Sequence, residues 1–182
     1  NNARAPFNDP RVRQAVAYAV DRSAANDILW NGMAKDTGGA PIPPTDPWFE
    51  GKHYYNYDPD KARQLLTEAG AEGAEITLTT PTLPYAQTVA ELLYSQLTEV
   101  GFKVTLDSAE FPAVWLGQVM GAKDYQMSLI SHVEPRDVPT LFGDPDYYLN
   151  YDSPRTRELL AQADSAPEKD YPKLMAQAVD QI

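Results

Sequence analysis

Between Glu75 and Ile130 the apolar residues change their repeat at every step, and this alternation restricts the fold more than any other feature of the chain. Residues 75–80 (EITLTT) alternate, with Ile76 and Leu78 on one face, which predicts a strand. Over residues 85–100, Val89, Leu92, Leu93, Leu97 and Val100 fall near helical spacing, and Gly101 stops the run. Residues 102–107 (FKVTLD) alternate again, residues 113–120 read as a helix, and residues 125–130 (YQMSLI) read as a third strand. A β-α-β-α-β order predicts an α/β fold whose sheet is parallel or mixed, with helices on its faces. In such sheets a ligand is met beyond the carboxyl ends of the strands. Residues 131–137 (SHVEPRD), which follow the third strand, are therefore expected to face a ligand.

The flanking helices announce their starts with one device. Asp9-Pro10, Asp58-Pro59 and Ser153-Pro154 each place a capping side chain before a proline suited to the first helical position. After Pro10 the residues Val12, Ala15, Val16, Ala19 and Val20 form an apolar stripe, and after Pro59 so do Ala62, Leu65, Leu66 and Ala69. Asp21 caps a second short helix carrying Ile28 and Leu29, which Asn31-Gly32 ends; Trp30 is expected to pack. Residues 155–164 and 171–182 read as helices near the end of the chain. Between the second and third helices lies an excursion with Pro41, Pro43, Pro44 and Pro47 among Trp48, Phe49, Tyr54, Tyr55 and Tyr57. Its prolines exclude a regular helix or a central strand. Its aromatics are expected to pin it, with His53 packed among them, and Trp48 is also a candidate surface for a ligand.

Composition removes several functions. A net charge of −11 with no run of Lys and Arg leaves no patch to replace phosphate counterions, so nucleic acid is not an expected partner. Cysteine is absent, which excludes disulfides, thiolate metal sites and cysteine nucleophiles within these residues. The sequence holds no Gly-x-Ser-x-Gly, no His-Glu-x-x-His and no glycine-rich phosphate loop. The two histidines, His53 and His132, do not build a metal site; His132 with Glu134 supplies two ligands, too few to hold an ion. No catalytic residue, cofactor or metal is therefore expected. The candidate ligand-binding residues are Ser131, His132, Glu134, Arg136 and Asp137, with Trp48 from the excursion. Arg136 offers a bidentate partner for a ligand carboxylate, or pairs with Glu134 or Asp137 to hold the loop.

Four segments in order then resemble one family, the extracellular solute-binding proteins of dipeptide, oligopeptide and nickel ABC importers (family 5). These are residues 6–22 (PFNDPRVRQAVAYAVDR), Asn31-Gly32 with residues 41–44, residues 57–70 (YDPDKARQLLTEAG), and residues 91–106, a helix and the strand after it. The resemblance implies a type II periplasmic-binding-protein-like, three-layer lobe, residues 1–182 being a single domain and most of the C-terminal lobe of a two-lobed protein. Asn1-Asn2 and Gln181-Ile182 are then expected to be cuts within a longer chain. The implied function is capture of a peptide or related small solute outside the membrane and its delivery to an importer permease, by an exported, monomeric, periplasmic or lipid-anchored protein with no enzymatic activity. The family often has a tryptophan after the third strand, followed by an aspartate and a Asp-Pro pair. This chain has Ser131-His132 there, with Glu134 or Asp137 as the acid and Asp144-Pro145 as the pair. Two other readings stay open on the residues alone: a hydrolase using paired acids, and an interaction module that docks a protein through residues 41–57.

Overall fold

Three strands form one parallel sheet in the order β2-β1-β3 in the computed structural model, which describes residues 1–132 and 137–182. β1 (Glu75–Pro81) pairs along its whole length with β2 (Lys103–Ala109), from Glu75 opposite Lys103 to Pro81 opposite Ala109. β3 (Met127–Ser128) pairs with β1 only at Leu78 and Thr79. It is shorter than the alternating stretch 125–130, because a side chain takes the place of the ladder below it. The Gln126 Oε1 accepts the Thr77 amide at 2.7 Å while its Nε2 donates to the Ala5 carbonyl at 2.9 Å.

The chain divides into two compact units. The first holds Asn1–Asp36 and Tyr55–His132, and with them the sheet. Its core joins α1 (Pro10–Ala19), α3 (Pro59–Ala69) and α4 (Pro84–Glu99) to β1. Val12 and Ala15 of α1, Ala62 and Leu66 of α3, Leu78 of β1, and Ala90 and Leu97 of α4 are all buried. The proline-led starts form as the capping pattern predicts: Asp9 accepts the Arg11 amide at 2.8 Å, and Asp58 accepts the Lys61 amide at 2.9 Å. The opening helix is thus scaffold. α2 (Arg22–Trp30) differs, burying no residue. Trp30, expected to pack, is 48% exposed, because the helix stops there at a left-handed Asn31 and no other element covers that end within the unit.

After β2 the chain makes one turn of helix, α5 (Ala113–Trp115), that widens into a π-helical segment, Leu116–Gly121. Hydrogen bonds from the Trp115 amide to the Glu110 carbonyl (2.9 Å) and from the Ala122 amide to the Gly117 carbonyl (2.8 Å) each span five residues. The helical reading of residues 113–120 holds in direction but not in winding. Trp115 itself is 1% exposed, as its apolar position predicts.

The second unit holds Thr37–Tyr54 and the described part of Val133–Ile182. α6 (Val138–Gly143), α7 (Pro154–Ser165) and α8 (Tyr171–Gln181) surround Ala40, Ile42 and Trp48 of the proline-rich excursion. α6 carries no sequence signal strong enough to predict it, being six residues long. The excursion is pinned by its aromatics, with two exceptions: His53 and Tyr57 are exposed. Among the described residues no helix is long and apolar enough to cross a membrane.

Candidate functional site

The sheet reverses direction at β1. The first crossover, through α4, places β2 on one side of it; the next places β3 on the other. The carboxyl ends of β1 and β3 therefore flank the switch point at which α/β sheets take their ligands. Two segments meet there, the β1–α4 turn (Thr82, Leu83, then Tyr85 in the first turn of α4) and residues 129–132 after β3. Their meeting is a hydrogen bond: the Tyr85 hydroxyl accepts the Ser131 amide at 2.9 Å.

Behind this edge lies a polar brace. Thr79 and Thr80 are buried, at 1% and 2% exposure, and both are satisfied. The Thr79 hydroxyl bonds Asp107 Oδ2 at 3.2 Å. The Gln87 amide donates to Thr80 Oγ1 at 3.2 Å and to the Pro81 carbonyl at 3.0 Å, while its Oε1 accepts from Ser108 Oγ at 3.2 Å. The Trp115 indole donates to Ser128 Oγ at 3.2 Å, and that hydroxyl donates to the Thr79 carbonyl at 2.5 Å. Across the turn, the Phe111 amide donates to Thr82 Oγ1 at 3.1 Å. Buried polar groups that are all paired stiffen what they hold, since breaking one leaves its partner desolvated.

The sequence candidates fare unevenly. Ser131 and His132 are exposed and follow β3 at the switch-point edge. Glu134 and Arg136 lie outside the described residues. Asp137 belongs to the second unit, where it directly precedes α6. Trp48 is corrected: it is 4% exposed, its ring packed edge-on to Tyr171 with centroids 5.5 Å apart, so its faces serve the core of the second unit rather than a ligand. Tyr85 and Thr82 were not singled out from the sequence. Their place just past a predicted strand, at the mouth of the following helix, was the available signal.

Two hollows compete with this edge and neither displaces it. The larger, about 730 Å³, opens at the amino ends of β1 and β2 beside Glu75, Lys103 and Gln126, the end opposite the switch point. The other, about 370 Å³ in the second unit, lies beside Trp48, Glu50, Lys52, Lys173 and Asp180. Lys52, Glu50 and Asp180 satisfy one another there. Lys52 pairs with Asp180 and, at 2.7 Å, with Glu50, while the Tyr54 hydroxyl donates to Asp180 at 2.5 Å. Burial pushes the Asp180 carboxyl up, but the hydrogen bonds from Lys52 and Tyr54 outweigh it and hold it below the ordinary value. Asp9 is likewise held low, first by the Arg11 side chain. Both shifts are those of partnered carboxylates, opposite to that of a proton-donating acid. Among the described residues no three His, Asp or Glu side chains gather as a metal site. The excursion also lacks the broad apolar surface a docking module needs: Ile42 and Trp48 are buried, and Tyr57 is the exposed large side chain within it.

Comparison with known proteins agrees with the topology. The family model described as bacterial extracellular solute-binding proteins, family 5 middle, matches residues 1–157. The glutathione-binding protein GsiB of Pectobacterium atrosepticum is 36% identical over 112 residues, which cover 60% of this chain and 22% of GsiB. The structure of AgaA from A. tumefaciens in complex with agropinic acid superposes over 100% of this chain and 40% of that one, with a TM-score of 0.86 and 28% identity. A dipeptide-binding protein from Pseudoalteromonas in complex with Met-Leu superposes over 100% of this chain and 39% of that one, with a TM-score of 0.83 and 25% identity. The chain spans between about a fifth and two fifths of the length of these relatives.

Proposed function

We infer the function from one premise: the chain belongs to the bacterial extracellular solute-binding proteins of family 5. It is most of the C-terminal, ligand-binding lobe of the solute receptor of an ABC importer. The whole protein captures a peptide or related small solute outside the membrane and hands it to the permease, acting as a monomer and without catalysis. The observation that carries this reading is the parallel β2-β1-β3 sheet with a braced, polar carboxyl edge in a chain that matches the family over residues 1–157. A peptide cargo is supported by relatives named for glutathione and for a dipeptide. Ser131 and His132 are the contacts proposed for it in the first unit, and Glu134, Arg136 and Asp137 are the further candidates from the sequence.

The test is mass spectrometry of small molecules retained by the full-length protein after gentle purification, followed by calorimetry with those compounds. A co-purifying peptide that binds at micromolar affinity or better supports the reading. Hydrolysis of the peptide on incubation, or the absence of any retained or titratable solute, overturns it. Half of the cleft is expected to be missing from residues 1–182, so this piece should bind the same compound far more weakly than the full-length protein does.

A further inference from the structure

The segment after β3 carries candidate ligand residues, yet the sheet barely holds it. β3 pairs with β1 at Met127 and Ser128 and no further, so Ser131 and His132 stand beyond the ladder, both exposed. What meets Ser131 is a side chain from across the crevice, the Tyr85 hydroxyl, which accepts its amide at 2.9 Å over a sequence separation of 46. Tyr85 is itself on firm ground. It lies in the first turn of the sixteen-residue α4, and its neighbour Ala86 is 0% exposed. One residue further, the Gln87 amide is tied to both Thr80 Oγ1 and the Pro81 carbonyl at the end of β1. The rigid side of the crevice thus reaches over and holds Ser131, three residues past the last paired residue of β3.

We propose that Tyr85 is the positioning residue of the ligand segment: by holding the Ser131 amide it sets the course of residues 131 and 132 beyond the end of β3, and so where His132 is presented to the cargo. This rests on the functional reading above. The arrangement makes the effect separable from folding. The Ser131–Tyr85 bond is exposed, so water replaces it when the hydroxyl is removed, while the ring and α4 remain. Loss of the bond frees the backbone of the segment and charges its reordering to every binding event.

The experiment uses the full-length protein and Tyr85→Phe, with Tyr94→Phe as control; Tyr94 is on the same helix, 45% exposed. The probes are glutathione, the dipeptide Met-Leu and a tryptic digest of casein. In Tyr85→Phe, amide exchange in a peptide covering residues 129–132 should quicken by about tenfold, and affinity for whichever probe binds should fall by about three- to tenfold, the range of one neutral hydrogen bond. The melting midpoint should move by less than about 2 °C. Tyr94→Phe should change none of the three. Unchanged exchange at 129–132, or unchanged affinity in Tyr85→Phe, overturns the proposal while leaving the functional reading intact. So does a weaker affinity that simply tracks a lowered melting midpoint. A wild-type protein that binds none of the probes overturns both together.

Discussion

Ser128→Ala should be costlier than the loss of one exposed hydroxyl, and the reason is directional. Ser128 Oγ accepts from the Trp115 indole at 3.2 Å and donates to the Thr79 carbonyl at 2.5 Å. Trp115 is 1% exposed, so water does not reach the donor that the substitution orphans. An unsatisfied buried donor costs about 1–3 kcal/mol, and the bond to Thr79 adds about 1 kcal/mol, which puts Ser128→Ala at about 2–4 kcal/mol. Trp115→Phe removes the donor itself and costs about 1–2 kcal/mol through the smaller ring. In that background Ser128→Ala loses only the Thr79 bond, about 1 kcal/mol, so the two changes should couple by about 1–3 kcal/mol. Native-state amide exchange of β1 as a function of urea reads the opening energy of this unit directly. An equal cost of Ser128→Ala with and without the indole would refute the relay and leave Trp115 as a packing residue alone.

Two further outcomes concern Gly38 and Tyr54 of the second unit, the first set against Gly70 of the first unit. Gly38 and Gly70 have nearly the same left-handed φ, +68° and +65°, but a Cβ at Gly38 would lie 2.1 Å from the Lys52 carbonyl, whereas one at Gly70 meets nothing within 4 Å. Gly70→Ala should therefore cost only the conformational penalty, about 1 kcal/mol, and Gly38→Ala clearly more, as unfolding midpoints will show; equal costs would mean the loop at Lys52 yields freely. Tyr54 is pushed up from 10.0 to about 12, first by burial and then by its hydrogen bond to Asp180. The folded state thus holds this proton more tightly, so the stability it lends is complete below pH 10 and drains away as pH climbs through about 12. Tyr54→Phe should flatten that alkaline loss; an identical pH profile in the variant would show that neither burial nor Asp180 shifts the phenol.

Much of this architecture was legible in the chain. The helices after Asp9-Pro10, Asp58-Pro59 and Ser153-Pro154 form where capping and apolar spacing place them, because those signals act within one or two helical turns. β1 and β2 were equally readable from alternation over six residues each, 75–80 and 102–107, the strands themselves running on to Pro81 and Ala109. The misreadings share a cause. β3 starts at Met127 rather than at residue 125 because Gln126 caps the ladder with its side chain, a contact to Thr77 that no local pattern records. Trp30 is exposed because nothing in its unit covers the end of α2, and Trp48 is buried because α8 brings Tyr171 against it.

The site divides along the same line. Alternation determined an α/β fold with a parallel or mixed sheet, and with it the end of the sheet at which a ligand is expected, since side-chain period and connection length leave little choice of topology. Four segments in order, residues 6–22 first among them, pointed to the family, although the helix of that first segment is scaffold. Which residues form the edge was decided only by tertiary structure. Tyr85 and Ser131 are 46 residues apart and neither is unusual in its own neighbourhood. Their bond exists because the crossover from β1 through α4 to β2, and back across to β3, returns the chain to the carboxyl end of β1, where a phenol on one side and a backbone amide on the other come within hydrogen-bonding distance.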